Sequence, residues 1–270
     1  MRIAVTGATG FVGRHVLAEL ARHAVEVVAV VRSSSSSDQS LPVDNVVSLD
    51  VHDSNTNAFE IMGYPDVVIH LAWFGLPNYA SLHHFEAELP VQYRFLKGVI
   101  ESGLQSLVVT GTCFEYGMQS GPLSVNIQPR PTNPYGFSKD ALRRQLKFLQ
   151  SINPYVLTWA RLFYLYGEGQ AETSLYSQLK RAVEKGEKVF NMSGGEQLRD
   201  YLNVSEAAKQ LVSLALAKQN HEVVNVCSGK PISVRRLVES WIEESGWSIK
   251  LNFGYYPYPD YEPMAFWGIR

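Results

Sequence analysis

The sequence is poor in cysteine, since only Cys113 and Cys227 occur among its 270 residues. No CxxC spacing and no Cys/His cluster accompanies them. This argues against a disulfide framework and against a structural zinc site, and it is typical of a protein from a reducing compartment. We therefore expect no metal.

Long apolar runs and an excess of one charge are also missing. No apolar stretch approaches the roughly 20 residues that a membrane-spanning helix needs. Lys and Arg number 24 against 26 Asp and Glu, a formal net charge of −2, which does not favour nucleic acid or an anionic membrane as a partner. The first residues run directly into an apolar segment, without the basic-then-apolar order of a signal peptide. We expect a cytoplasmic protein with no nucleic-acid or membrane partner.

The sequence does contain a regular alternation of short apolar segments and longer helical ones. Strands are predicted at Ile3–Val5, Val25–Val31, Asn45–Leu49, Asp66–Leu71, Ser106–Thr110 and Tyr155–Arg161. Helices are predicted at Gly13–His23, His83–Ser102 and Ser138–Ser151. Apolar strands separated by helices indicate an α/β protein, a doubly wound parallel sheet with helices on both faces.

The pattern changes after Gly167. Closely spaced glycines predict a loop-rich region, followed by a helix at Val204–Lys218, a strand at Val223–Val226 and a helix at Ser233–Ser245. The tail from Phe253 to Arg270 is dense in aromatic residues, so we expect it to pack on the body or on a partner chain. The serine run Ser33–Ser37 is interpreted as a mobile loop.

Three glycines lie in the turn after the first strand, in the order Gly7-Ala-Thr-Gly10-Phe-Val-Gly13. Gly7 suits a tight turn, Gly10 lets the backbone approach a pyrophosphate, and Gly13 lets the helix pack closely on the strand. The N–H groups at the start of the following helix would then face the phosphates. This strand–turn–helix context predicts a dinucleotide site.

The end of the second strand bears on the kind of dinucleotide. It reads Val31-Arg32-Ser33-Ser34, with no carboxylate before Asp38. An arginine at this position binds the 2′-phosphate of NADP, whereas an acidic residue there would bind the ribose of NAD. NADP(H) is therefore predicted, with NAD(H) as the other option if Arg32 is only a solvated loop residue. Asp50 either contacts the adenine or caps the next turn.

A tyrosine and a lysine stand four residues apart in Tyr135-Gly-Phe-Ser-Lys139, so both side chains share one face of a helix. A free tyrosine has a pKa of about 10 and is a poor acid–base group near neutrality. We expect the positive charges of Lys139 and of an oxidised nicotinamide to lower the pKa of Tyr135. Thr112, after the fifth strand, would hold a substrate carbonyl beside the tyrosine.

Several further segments accompany these motifs along the chain. They are His70-Leu-Ala72, Tyr116-Gly117, the segment 161–167, the segment 199–204 and Asn225-Val-Cys-Ser-Gly229. With the GxxGxxG turn and the YxxxK pair, they make the chain resemble the extended short-chain dehydrogenase/reductases, also described as the NAD-dependent epimerase/dehydratase family. The resemblance implies a Rossmann-like core at residues 1–165. Residues 166–270 would form mainly a smaller C-terminal substrate-binding region, with some segments returning to the core.

The resemblance also implies residue roles. Tyr135 would be the acid–base, Thr112 would bind the reacting oxygen, and Lys139 would bind the nicotinamide ribose and tune Tyr135. The implied cofactor contacts are Gly7, Thr9, Gly10, Phe11, Val12, Arg32, Asp50, Val51, Leu71, Ala72, Trp73, Tyr135 and Lys139. The implied substrate contacts are Asn78, Thr112, Phe114, Glu115, Tyr164 and Arg199. Arg199 would meet the diphosphate of a nucleotide sugar, unless it forms an ion pair with a carboxylate.

Similar proteins that catalyse different reactions differ at a few sequence positions. The dehydratases carry a carboxylate pair directly after the Thr, where this chain has Cys113 and Phe114. The GDP-sugar synthases carry a Cys and a His where this chain has Phe114 and Gly169. Two reactions remain, namely reduction of a 4-keto group and 4-epimerisation with tightly bound NAD.

Arg32 and Tyr164 favour reduction of a dTDP- or CDP-linked 4-keto-6-deoxyhexose in deoxysugar biosynthesis. The alternatives are the nucleotide-sugar 4-epimerase and a catalytically silent nucleotide sensor of the same fold. A homodimer through the helices near His83–Ser102 and Ser138–Ser151 is expected by analogy.

Overall fold

The computed structural model describes residues 1–32, 41–43, 45–53 and 57–270. Its strands are β1 (Arg2–Thr6), β2 (Glu26–Val31), β3 (Asn45–Ser48), β4 (Val67–His70), β5 (Ser106–Thr112), β6 (Gly121–Leu123), β7 (Val156–Leu162), β8 (Tyr164–Tyr166), β9 (Val189–Asn191), β10 (Leu198–Asn203), β11 (Glu222–Val226), β12 (Pro231–Ser233), β13 (Lys250–Asn252) and β14 (Phe266–Gly268). Its helices are α1 (Phe11–Leu20), α2 (Ala58–Ile61), α3 (Leu89–Glu101), α4 (Pro134–Ile152), α5 (Leu175–Glu184), α6 (Val204–Ala217) and α7 (Val234–Ser245), with a π-helical segment at His84–Glu88 and a 3₁₀ segment at Cys113–Tyr116. The serine run Ser33–Ser37 lies outside the described residues.

Seven strands form one parallel sheet in the order β11-β7-β5-β4-β1-β2-β3. One apolar cluster packs α1 and α6 on one face of the sheet, and a second packs α3 and α4 on the other. The predicted doubly wound α/β class is confirmed. The chain order reverses on either side of β1, so a crevice opens at the carboxyl ends of β1 and β4.

The start of α4 carries Tyr135 and Lys139, the predicted catalytic pair. The helix begins at Pro134, earlier than the predicted Ser138, because the side chain of Asn133 accepts a hydrogen bond from the Gly136 N–H at 2.8 Å. Proline suits a first helical position, where its missing N–H would have no partner. Tyr135 and Lys139 therefore both lie in the first turns of a helix that is anchored at its N-terminus.

The predicted single helix at His83–Ser102 is wrong in its first part. A π-helical segment, His84–Glu88, comes before α3, and Pro90 stands at the second residue of α3. Because proline has no N–H to donate, it cannot bond back to the preceding turn. The π-helical segment brings His84 and Glu88 into the interior.

The prediction of a loop-rich region after Gly167 is also wrong. The helix α5 forms there, with the Ser174 hydroxyl accepting from the Ser177 N–H at 3.2 Å, and β9 and β10 follow. With β8 and α7, these elements build a third apolar cluster. The chain then returns to the core, since β11 pairs with β7 and α6 packs on α1. The division at residue 165 stays a prediction.

The aromatic tail packs on the body, as expected. The strand β14 pairs with β6, and Phe266 is buried against Phe163 and Cys227. Among the described helices, none combines the length and the apolar character needed to cross a membrane. The described side chains also form no cluster of three or more His, Cys, Asp or Glu that would hold a metal ion.

Candidate active site

A cleft of about 240 Å³ opens at the carboxyl ends of β1 to β4. It collects nine of the residues that sequence reasoning assigned to the cofactor: Gly7, Thr9, Gly10, Arg32, Asp50, Val51, Leu71, Ala72 and Trp73. Phe11 and Val12 form the first two positions of α1 beside it. The structure thus brings together residues from four separate segments in the crevice where doubly wound folds bind nucleotides.

The glycine turn fits a pyrophosphate. Gly7 has φ of +69°, and a Cβ there would stand 2.8 Å from the Ala72 nitrogen. A Cβ on Gly13 would stand 2.1 Å from the Gly7 oxygen, so only glycine allows α1 to pack this closely. Gly10 is the N-cap of α1 and offers no side-chain cap, and the first turn of the helix carries no acidic residue. The backbone N–H groups of that turn therefore face the cleft without a competing carboxylate.

Charged groups from three segments meet at the end of the cleft formed by β2 and β3. The Asp50 carboxylate accepts from the His52 N–H at 2.9 Å, and Nε2 of His52 lies 3.1 Å from Oε2 of Glu88. Burial acts to raise the pKa of Asp50, but bonds from His52 and the charge of Arg32 lower it overall. Cζ of Arg32 lies 5.4 Å from the centre of the Phe74 ring. His52 and Glu88 were not predicted from the sequence.

The predicted Thr112, Tyr135 and Lys139 lie beside the cleft, because Trp73, which lines the cleft, contacts both Tyr135 and Lys139. The side chain of Thr112 acts to lower the pKa of the Tyr135 phenol, so the two groups face each other. Nζ of Lys139 donates to the Thr110 oxygen at 2.9 Å, from a side chain that is 1% exposed. The three residues are therefore assembled, with Nζ of Lys139 5.9 Å from the centre of the Tyr135 ring.

The expected lowering of the pKa of Tyr135 is not what this structure shows. Tyr135 is buried against the rings of Tyr79, His84 and Phe114, and burial raises the pKa of the phenol. Burial also lowers the pKa of Lys139, to about 7. Desolvation disfavours the charged form of each group, and it is the largest cause of both shifts in pKa. The phenol is therefore held in its protonated, proton-donating form.

Glu115 does not face the substrate region, contrary to the predicted substrate contact. Its side chain is 0% exposed and lies 2.6 Å from Nε of Arg161, while its other oxygen accepts from Trp159 Nε1 at 2.9 Å. That same oxygen accepts from the Thr112 N–H at 2.9 Å. All of these partners are internal, so Glu115 holds the strand end that carries Thr112.

Arg199 lies in a cavity of about 310 Å³ lined by β8 to β10 and the C-terminal tail. Its Nη2 stands 2.9 Å from Oε2 of Glu262, and its Nη1 donates to the carbonyl oxygens of Leu198 and Met264. The hydroxyl of Tyr164 donates to the other oxygen of Glu262. The ion-pair alternative for Arg199 is thus realised, and a diphosphate would have to compete with Glu262 for the guanidinium.

The remaining predicted substrate residues flank Tyr135. The Phe114 ring lies 6.4 Å from the Tyr135 ring and 4.7 Å from that of Tyr79. The carbonyl oxygen of Asn78 lies 2.8 Å from Nε2 of His84. Glu262 was missed by sequence reasoning, and no local pattern marks it. Direct contact of these side chains with a substrate stays a prediction.

Comparisons with known proteins agree with this geometry. The chain is 29% identical over 272 residues to the dTDP-6-deoxy-L-talose 4-dehydrogenase (NAD(+)) of Aggregatibacter actinomycetemcomitans, and 100% of each chain is covered. It is 26% identical over 274 residues to the UDP-glucose 4-epimerase of Corynebacterium glutamicum, covering 91% of this chain and 81% of that protein. The solved structure of MoeE5 in complex with UDP-glucuronic acid and NAD matches with a TM-score of 0.82 at 26% identity, covering 100% of this chain and 90% of the other. The model of the NAD dependent epimerase/dehydratase family matches residues 3–227. The resemblance that the sequence motifs carry is thereby confirmed, and the chain belongs to the NAD dependent epimerase/dehydratase family.

Proposed function

We propose that this protein reduces the 4-keto group of a nucleotide-linked 4-keto-6-deoxyhexose, with a nicotinamide cofactor as the hydride donor. The observation that carries the proposal is the assembly of Thr112, Tyr135 and Lys139 beside the cleft, with a phenol that burial keeps protonated. Cys113 and Phe114 stand where a second acid–base pair would be needed for dehydration. The 29% identical relative is named a 4-dehydrogenase, and oxidation at C4 is the same reaction run in reverse.

Different residues of this chain have separate roles in that reaction. A nicotinamide cofactor, held in the cleft by the glycine turn and its neighbours, would supply the hydride for the C4 carbonyl. Thr112 and Tyr135 hold the carbonyl oxygen, and Tyr135 donates its phenolic proton to that oxygen as negative charge develops. The positive charge of Lys139 stabilises the phenolate that is left behind. The glycine turn and the start of α1 hold the pyrophosphate.

Near-UV absorbance of NADPH, and separately of NADH, tests the proposal directly. The purified protein is mixed with enzymatically generated dTDP-4-keto-6-deoxyglucose, and then with the CDP-linked sugar. We expect stoichiometric loss of reduced cofactor with at least one of these substrates. If neither substrate causes loss of reduced cofactor, the proposed reduction is wrong.

The second candidate function is 4-epimerisation of a nucleotide sugar with a resident NAD. The similarity to the UDP-glucose 4-epimerase of Corynebacterium glutamicum favours it. Such an enzyme would carry NAD as purified and would interconvert UDP-hexoses without net consumption of cofactor. A silent nucleotide sensor is disfavoured, because a sensor has no need for Thr112, Tyr135 and Lys139 in one assembled group.

The preference for NADP(H) over NAD(H) is part of the proposal, and it depends on Arg32. We expect Arg32→Asp to lower the ratio of kcat/KM for NADPH to that for NADH by about tenfold or more, since the 2′-phosphate would then meet a carboxylate in place of a guanidinium. Arg22→Asp, the same change of charge at an exposed arginine outside the cleft, serves as the matched control and should leave the ratio unchanged. An unchanged ratio in Arg32→Asp would remove the role assigned to Arg32.

A homodimer is also proposed, with α4 at its interface. Phe148 and Ile152 lie one turn apart on this helix and are 75% and 76% exposed. Exposed apolar side chains grouped in this way are typical of association surfaces. We expect Phe148→Asp to give a monomer in sedimentation or light-scattering measurements, whereas Tyr64→Asp, at an exposed aromatic elsewhere, leaves the dimer intact.

A further inference from the structure

The indole of Trp73 covers the ammonium group of Lys139. Nζ of Lys139 lies 4.0 Å from the centre of the Trp73 ring. The Tyr135 ring packs edge-on against the same indole, with 5.9 Å between the two ring centres. Trp73 follows β4 directly and also lines the cofactor cleft. One aromatic side chain therefore contacts the catalytic lysine, the catalytic tyrosine and the space assigned to the nicotinamide end of the cofactor.

A buried histidine fixes the orientation of this indole. Trp73 Nε1 donates to Nδ1 of His84 at 3.1 Å, while Nε2 of His84 lies 2.8 Å from the Asn78 oxygen. These two bonds require a neutral ring with its proton on Nε2. Burial lowers the pKa of His84, in agreement with that neutral form. The indole is thus held at its nitrogen, with its face turned to Lys139.

The Lys139 side chain is almost fully buried, so water does not solvate its positive charge and other contacts must stabilise it. Its ammonium group has three N–H donors, and Thr110 accepts one of them. An aromatic face attracts a cation, most strongly where water is excluded. The charges of Glu115 and Glu88 also favour the ammonium form, and His70 nearby is neutral because burial lowers its pKa to about 3.

We propose that Trp73 is a positioning residue of the nicotinamide site, which holds the Lys139 ammonium in place for the cofactor ribose and is itself fixed by His84. The proposal rests on the proposed function only in assigning the cleft to a dinucleotide. It gives Trp73 a role beyond lining the cleft, since its π face keeps the lysine charged in a site where burial favours the neutral amine.

The first test measures proximity without turnover. Oxidised NAD is titrated into the wild type and into Trp73→Phe, with binding followed by calorimetry and by tryptophan fluorescence. We expect NAD to quench the wild-type fluorescence and the Trp73→Phe variant to bind NAD with most of that quenching lost. If Trp73→Phe binds NAD and keeps the full quenching, Trp73 is not at the nicotinamide end and the proposal is wrong.

The second test uses the pH dependence of reduction. Lys139 must be protonated, so kcat/KM falls as the pH rises through its pKa, which burial lowers to about 7. Trp73→Leu removes the π face, so the alkaline limb of the pH profile of kcat/KM should move to a pH about one unit lower. Trp73→Phe keeps an aromatic face, so its alkaline limb should lie between those of the wild type and of Trp73→Leu. Phe74→Leu, a neighbouring ring that faces Arg32, is the control and should leave the position of the limb unchanged.

The outcomes separate this inference from the proposed function. If the wild type binds no dinucleotide in calorimetry, the proposed function fails, and this inference fails with it. If the wild type binds and reduces as proposed but the limb of Trp73→Leu coincides with that of the wild type, only the inference is overturned. His84→Phe removes the acceptor of the indole N–H, and we expect its limb to move in the same direction as that of Trp73→Leu.

Discussion

Replacing Tyr135 by phenylalanine is expected to lower turnover by about two to four orders of magnitude, the range that a positioned proton donor contributes. The phenol faces Thr112, and burial holds it in the protonated form that a reduction requires. The variant keeps the ring that packs on Trp73 and Tyr79, so only the proton donor is lost. Cofactor-consumption rates measured alongside NAD calorimetry check the expectation, because dinucleotide binding should persist.

A matched control removes a phenol that has only a structural partner. The Tyr155 hydroxyl donates to the Leu146 oxygen at 2.9 Å, in the core beneath α4. Tyr155→Phe should keep turnover near that of the wild type. If Tyr135→Phe retained turnover at the level of this control, the acid–base role of Tyr135 would be refuted and the nucleotide sensor would become the better reading.

The features of the fold that could be predicted are those determined by residues close together in the sequence. Apolar runs such as Val67–His70 are buried on both faces of the sheet, and such burial leaves a continuous pattern in the sequence. The turn at Gly7 was equally readable, because its positive φ and its closeness to Ala72 exclude any side chain. The spacing of Tyr135 and Lys139 fixes their common face on α4, whatever surrounds that helix.

The parts that were missed depend on partners far apart in the chain. Arg199 is paired with Glu262, which is 63 positions away. The pKa of Tyr135 is raised because aromatic rings from separate segments of the chain enclose it, and sequence periodicity does not predict such enclosure. The irregular start of α3 that buries His84 and Glu88 depends on one proline and on tertiary packing, which override a helical pattern. Motifs therefore predicted the candidate catalytic residues, whereas the groups that surround those residues could be identified only from the structure.

The largest expected effect on stability is at Glu115, which the sequence presents as a substrate residue. Its pair with Arg161 has side-chain exposures of 1% and 0%. Removing one partner of a buried pair leaves an unpaired charge, at a cost of about 3–5 kcal/mol. Glu115→Ala should therefore lower the free energy of unfolding by that amount in chemical denaturation. It should also lower turnover, because Thr112 loses the acceptor that fixes its backbone N–H.

The double variant Glu115→Ala/Arg161→Met separates the cost of the unpaired charge from that of the lost hydrogen bonds. Methionine roughly matches the length of the arginine stem and can pack on the Tyr116 ring, over which the guanidinium now lies at 4.5 Å. Because no charge is then left in the core, the double variant should recover a large part of the stability that Glu115→Ala loses. Turnover should stay low in both variants, since neither restores the acceptor for Thr112. A double variant no more stable than Glu115→Ala would show that the hydrogen bonds to Trp159 and Thr112, and not the ion pair, carry the contribution of Glu115.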